Sequence, residues 1–283
     1  FFMPDRLTGA ALPLGAMVTK NSTVIGEYTS LPLFADFCKK SGVGIIQLLP
    51  VNDTGTQSSP YSGLSAFALH PIYIDLSMLP EFKGIYKDDK SFAKKYDGFI
   101  EANPYVAKSV KSRYKYDDVL NAKIDLLRDI YASTDIAKNA QADKELSAFI
   151  EENSEWLIPY VVYKNLKHIH MQASWKSWPA KDKNVTMDGI SKRWAEPSDK
   201  KEHLFYAWCQ MRAFAQFKKS CDYVKSLGIV LKGDMPILLN EDSCDAWSLP
   251  KVFNHNLRAG SPVDNENPTG QNWGFPTYNW DYL

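Results

Sequence analysis

With 283 residues and 45% apolar content, the chain has material for a large core, in one big domain or two smaller ones. Lysine plus arginine equals aspartate plus glutamate at 33 each, so no net field draws it to nucleic acid or to an anionic membrane. A neutral substrate suits that balance, and an aromatic content of 13%, with eight tryptophans and fifteen tyrosines, leaves rings for stacking on flat ligand faces once the core is filled.

The first residues, FFMPDRLTGA, lack the basic n-region and apolar run of a signal peptide. No stretch approaches the ~18 apolar residues of a membrane span. The four cysteines, Cys38, Cys209, Cys221 and Cys244, show no close pairing and no CxxC, so a soluble protein of the reducing cytoplasm is expected.

In chain order, Gly9–Leu14 and Val43–Pro50 are short, bounded apolar runs that predict buried strands. Between them Leu31–Lys40 predicts a helix with Leu33, Phe34, Phe37 and Cys38 on one face and Lys39 and Lys40 at its cation-favouring end. Strand, helix, strand is the grammar of a parallel sheet. Lys83–Lys115 is lysine-rich and weakly periodic, which reads as a solvated face. Helical patterns follow at 117–131, 143–152 and 156–168, and the polar stretch 180–198 predicts a surface connection. A long helix over about 201–227 stops at Gly228. Ile229–Leu239 is a third strand broken by Gly233 and Pro236, and 260–283, rich in proline and glycine, predicts a structured loop carrying Trp273 and Trp280.

The segment from Asn52 to Pro71, NDTGTQSSPYSGLSAFALHP, follows the second strand, where parallel folds place their sites. A long connection covering the sheet, anchored by Tyr61 and Phe67, is the alternative. Glu241 and Asp242 resemble an acid and base pair, but adjacent residues point apart and glycosidic chemistry needs carboxylates facing each other across roughly 5 to 9.5 Å. Glu241, Asp242 and Ser243 read better as a helix start covering free N–H groups. His168 and His170 lie two apart in a helix, so they read as solvated residues, not a metal pair. No GxSxG, P-loop or GxGxxG occurs.

Five blocks in order, IGEYTSLPLFADFCKKSG, IIQLLPVNDTG, SSPYSGLSAFALHP, GDMPILLNEDSCDAW and TGQNWGFPTYNWD, together with WKSWP at Trp175–Pro179, resemble the amylomaltase family of 4-alpha-glucanotransferases. The resemblance implies a TIM (β/α)8 barrel of the alpha-amylase type, with its first three strands present and a largely helical insertion between strands 2 and 3. It divides the chain into 1–76 as the first part of the barrel, 77–200 as the insertion and 201–283 as barrel continuation. Carried over by motif, Tyr61 and Trp273 are implied to stack on glucan, Ser59 to lie beside the same subsites, Asp234 to frame the site at the end of strand 3, and Asp264 and Gln271 to be polar loop residues near the sugar.

The implied activity is retaining transfer of alpha-1,4-glucan segments between maltooligosaccharides and glucose, with no metal or other cofactor. Pro262 is followed by Val263 where the family has a second proline, and Asn265 stands where it often has an aromatic residue, so lid closure and substrate length are not carried over. The family's RIDH-like, ED-G and HD blocks do not occur. The nucleophile and acid/base are therefore expected downstream of Leu283, and the isolated chain is expected to be inactive, with open strand edges and exposed apolar faces. The competing readings are an alpha-amylase-type hydrolase and a noncatalytic glucan-binding fragment.

Overall fold

The computed structural model describes residues 6–20, 22–104, 115–139 and 143–283. Part of the lysine-rich stretch, 105–114, lies outside the described residues. Strand β1 (Gly9–Leu12) pairs in parallel with β2 (Ile45–Leu48), Gly9 opposite Ile45 and Leu12 opposite Leu48. Strand β3 (Val230–Lys232) lies parallel on the other side of β2, Ile45 opposite Val230. The sheet order β1-β2-β3 is open, with no barrel closure among the described residues. Helix α1 (Ser30–Lys40) links β1 to β2, as a parallel pair requires a crossover.

Between β2 and β3 the chain is helical: α2 (Phe82–Asp88), α3 (Lys90–Ala102), α4 (Tyr116–Ala132), α5 (Asp135–Lys138), α6 (Lys144–Glu152), α7 (Ser154–Ile169), α8 (Ala180–Lys183), α9 (Met187–Ala195) and α10 (Lys200–Ser226). After β3 come α11 (Cys244–Ser248) and the antiparallel strands β4 (Phe253–Ser261) and β5 (Gln271–Tyr278). This is a partial barrel with a helical insertion, as the family resemblance implies.

The chain divides into two compact units. The first comprises Phe1–Val51, Leu69–Phe149 and Ala207–Met235, and holds the parallel sheet. Its buried residues include Leu31, Ala35 and Cys38 of α1, Ile46 and Leu48 of β2, Leu126, Leu127 and Ile130 of α4, and Trp208 of α10. Within it Lys123, fully buried, donates to Glu27 and to the Ile72 and Ile74 carbonyls, both at 2.8 Å. The second comprises Asn52–Ala68, Ile150–Tyr206 and Pro236–Leu283. Tyr163, Trp178 and Trp247 fill its core in mutual ring contact at 5.8 to 6.0 Å, and the Trp247 indole donates to the Asp182 carbonyl.

Three local expectations are corrected. Helix α1 buries the i, i+4, i+7 seam of Leu31, Ala35 and Cys38, while Leu33 and Phe37 face outward, Phe37 at 62% exposure. The two large side chains dominated the sequence pattern, yet the small Ala35 is fully buried. The polar stretch 180–198 contains α8 and α9, the latter opened by Thr186 accepting from the Gly189 N–H. Within the 260–283 loop, Gln271–Tyr278 form strand β5 of a hairpin, whose Pro276 and glycines had masked the alternation.

Candidate functional site

Five of the six implied glucan residues, Ser59, Tyr61, Asp264, Gln271 and Trp273, belong to the second unit, and Asp234, two residues past β3, belongs to the first. The second unit supplies two built features, the 52–68 loop and the β4–β5 hairpin.

The loop closes on itself. The Asp53 N–H donates to the Ala68 carbonyl at 2.8 Å, the Leu64 N–H to the Asp53 carbonyl at 2.7 Å, and Asn52 Nδ2 to the Ser65 and Ala66 carbonyls. The Asp53 carboxylate is fully buried, accepting from the Gly55 N–H at 2.8 Å, the Tyr160 hydroxyl at 2.6 Å and Lys164 Nζ at 2.9 Å. Gly55 sits at φ +59°, a left-handed turn in which a Cβ would also meet Leu64 Cδ1 at 2.6 Å. Such a buried, paired carboxylate is a structural anchor: removing a partner would strand the charge. Sequence reading passed over Asp53, although its Asp-x-Gly spacing is an Asx-turn signature.

On this frame the Ser59–Ser62 turn, closed by the Ser62 N–H on the Ser59 carbonyl at 3.1 Å, displays Tyr61 at 46% exposure. The far limb of the loop is tied to the 240–245 segment. Asn240 N–H donates to Gly63, Cys244 N–H to Leu64, and Ala66 N–H to the Asp245 carboxylate, whose pKa burial pushes up to about 6.

Neither Glu241 nor Asp242 caps the following helix; Ser243 does, accepting from the Ala246 N–H at 3.0 Å. Asp242 accepts from Lys167 Nζ at 2.6 Å and from the Trp175 N–H at 2.8 Å. Glu241 pairs with Lys176 and Arg258. Both carboxylates thus latch the segment onto its neighbours. His170 departs from the solvated expectation: it meets Asp182 at 2.9 Å and stacks on Trp178 at 5.2 Å, while Asp182 also pairs with Arg193.

The hairpin carries the remaining three residues. Asp264 accepts from the Glu266 and Asn267 N–H groups at 2.9 and 2.6 Å, which fold the turn between β4 and β5 and hold its carboxyl below the usual range. Gly260 lies so close to β5 that a Cβ there would sit 1.9 Å from the Gln271 carbonyl oxygen. Trp273 is 48% exposed, whereas Trp175, Trp178, Trp208 and Trp247 are core residues; its indole Nε1–H donates to Gln271 Oε1 at 2.8 Å. Gln271 and Trp273 are thus brought together, and Asp264 serves the turn that joins their strand to β4. An exposed, oriented indole offers a flat apolar face suited to a pyranose ring.

Elsewhere, a cavity of about 1050 Å³ in the first unit is lined by α2–α5 residues and contains none of the six. Of its acidic groups, Asp89 caps α3, Asp129 pairs with Lys95, and Glu81 pairs with Arg212. Among the described residues no group of three or more His, Cys, Asp or Glu is placed to hold a metal, and no helix is long and apolar enough to cross a membrane.

Comparison with known proteins agrees with this architecture. A family model described as 4-alpha-glucanotransferase, glycoside hydrolase family 77, matches residues 12–283. A 4-alpha-glucanotransferase of Chlamydia caviae is 34% identical over 97% of this chain and 49% of its own length, and one of Chlamydia pneumoniae gives the same three values. The chain spans about half the length of these curated relatives. Amylomaltase from Streptococcus agalactiae, solved in complex with acarbose, shares the fold at a TM-score of 0.75 and 22% identity, covering 98% of this chain and 54% of that one. With a family match over nearly its whole length and a parallel sheet interrupted by a helical insertion, the chain belongs to the 4-alpha-glucanotransferase family.

Proposed function

We propose that the chain is the glucan-binding portion of an enzyme that transfers alpha-1,4-glucan segments from a maltooligosaccharide donor to glucose or another sugar acceptor. The reading rests on the exposed, oriented Trp273 within a family match running to residue 283, with Tyr61 as a second exposed ring on a rigid loop. In the retaining route a carboxylate attacks the donor's anomeric carbon as an acid protonates the departing glycosidic oxygen. The acceptor hydroxyl then displaces the carboxylate and yields its proton to the same group, now a base. Both roles are proposed to fall to residues outside this chain. That is supported by its half-length coverage of relatives and by the structural engagement of Glu241, Asp242, Asp53 and Asp245.

Ser59 is proposed to border sugar held by the second unit, Asp234 is proposed by itself as a sugar-contacting residue of the first, and Asp264 is proposed to act by shaping the turn. Calorimetry with maltotetraose tests the binding half: Trp273→Ala is expected to weaken binding on the order of tenfold. Unchanged affinity would refute it. A maltotriose disproportionation assay tests the other half, with no turnover expected from the 283-residue chain alone. Product analysis with and without added glucose on the full-length enzyme separates a transferase from an alpha-amylase-type hydrolase.

A further inference from the structure

Resting on the glucan-binding reading above, we infer that Gln271 is a positioning residue, whose side-chain carbonyl locks the Trp273 indole as a stacking platform and does not itself hold sugar. The tryptophan Nε1–H is a donor only, so the contact at 2.8 Å fixes Oε1 as the Gln271 atom facing it. Gln271 and Trp273 are i and i+2 on β5 and so project from the same face of the strand.

The backbone beneath them is held on both sides. Gln271 pairs with Ser261 and Asn272 with Gly260, where the strands approach too closely for any side chain at Gly260. Behind Trp273, the Asn272 Oδ1 accepts from the Gly274 N–H at 2.9 Å, and Gly274 takes φ +79°, a left-handed conformation natural to glycine. The run Gln271-Asn272-Trp273-Gly274 therefore divides its work: Gln271 orients the ring, Asn272 and Gly274 set the chain, and Trp273 presents a face.

Two consequences follow for recognition. With its N–H occupied by Gln271, the indole contributes its π face and no donor to the ligand. With its rotation restrained before binding, the ring loses less conformational freedom when sugar arrives.

The test uses Gln271→Leu, which removes the acceptor, and Gln271→Glu, which keeps an acceptor but loses the amide donors. Trp273→Phe assigns the 15N-indole resonance. Q271L is expected to shift that resonance and accelerate its hydrogen exchange in the ligand-free protein, and to weaken maltotetraose binding on the order of two- to tenfold. Q271E is expected to restore both the resonance and the affinity. An indole resonance unmoved in Q271L overturns the inference. So does a Q271E protein that binds as weakly as Q271L, because the amide donors would then be contacting sugar directly. If Q271L moves the resonance but Trp273→Ala binds maltotetraose as wild type does, the glucan-binding reading of the hairpin fails while the indole lock stands.

Discussion

Two buried ion pairs show how a single carboxylate can be committed to structure. Glu27 is almost wholly buried against Lys123, and its pKa rises from 4.5 to about 7: desolvation outweighs the attraction of the lysine, and nearby Asp75 adds to the rise. Because the folded protein holds this proton more tightly than the unfolded chain, stability falls as pH rises from about 4.5 through 7. Glu27→Gln should therefore flatten that part of the stability profile, measured by urea unfolding at pH 5, 6 and 7. An undiminished slope would remove Glu27 as its source. Asp242 makes a sharper contrast with its neighbour. Replacing it with Ala strands Lys167, only 6% exposed, and should cost roughly 3 kcal/mol in unfolding free energy. Glu241→Gln, whose partners Lys176 and Arg258 are 39% and 25% exposed, should cost less, about 1 kcal/mol.

Glycines mark where elements meet or end, and the reason differs from one to the next. Gly26 lies buried between β1 and α1, and a Cβ would fall 2.3 Å from the Leu14 carbonyl oxygen and 2.8 Å from the Met17 nitrogen. Those are backbone atoms that cannot rotate away. Gly26→Ala should lower stability by about 1–3 kcal/mol or more, read from the urea midpoint. Gly228 ends α10 at φ +75° with nothing near its absent Cβ. Gly228→Ala should therefore cost only the left-handed conformation, roughly 1–2 kcal/mol. A Gly26→Ala protein as stable as the wild type would defeat the steric account of Gly26.

For the molecule as a whole, the open sheet and the relatives' greater length bear on how the chain behaves in isolation. Strands β1 and β3 are both edges among the described residues, and Phe37, Met235 and Ile237 stand 62%, 75% and 70% exposed. Edges and apolar faces of this kind invite association. Phe37→Ser should leave stability within about 0.5 kcal/mol while lowering dye binding to exposed apolar surface. A large loss of stability would mean that Phe37 is packed.

The strand–helix–strand order, the long helix and its stop at Gly228 were legible in the sequence because apolar periodicity and helix-end chemistry act over a few residues. So was family membership, carried by ordered motifs that need no coordinates. The three parallel strands were countable for the same reason. The roles of particular polar residues were another matter. Asp53, Asp242 and His170 take their meaning from Tyr160, Lys167 and Asp182, which lie 12 to more than 100 positions away in the chain. The β4–β5 hairpin stayed hidden because its pairing depends on a close approach at Gly260 that no local propensity encodes. A carboxylate's charge is written in the chain, but whether it is an anchor, a latch or a turn depends on its burial and partners, which only the tertiary structure decided.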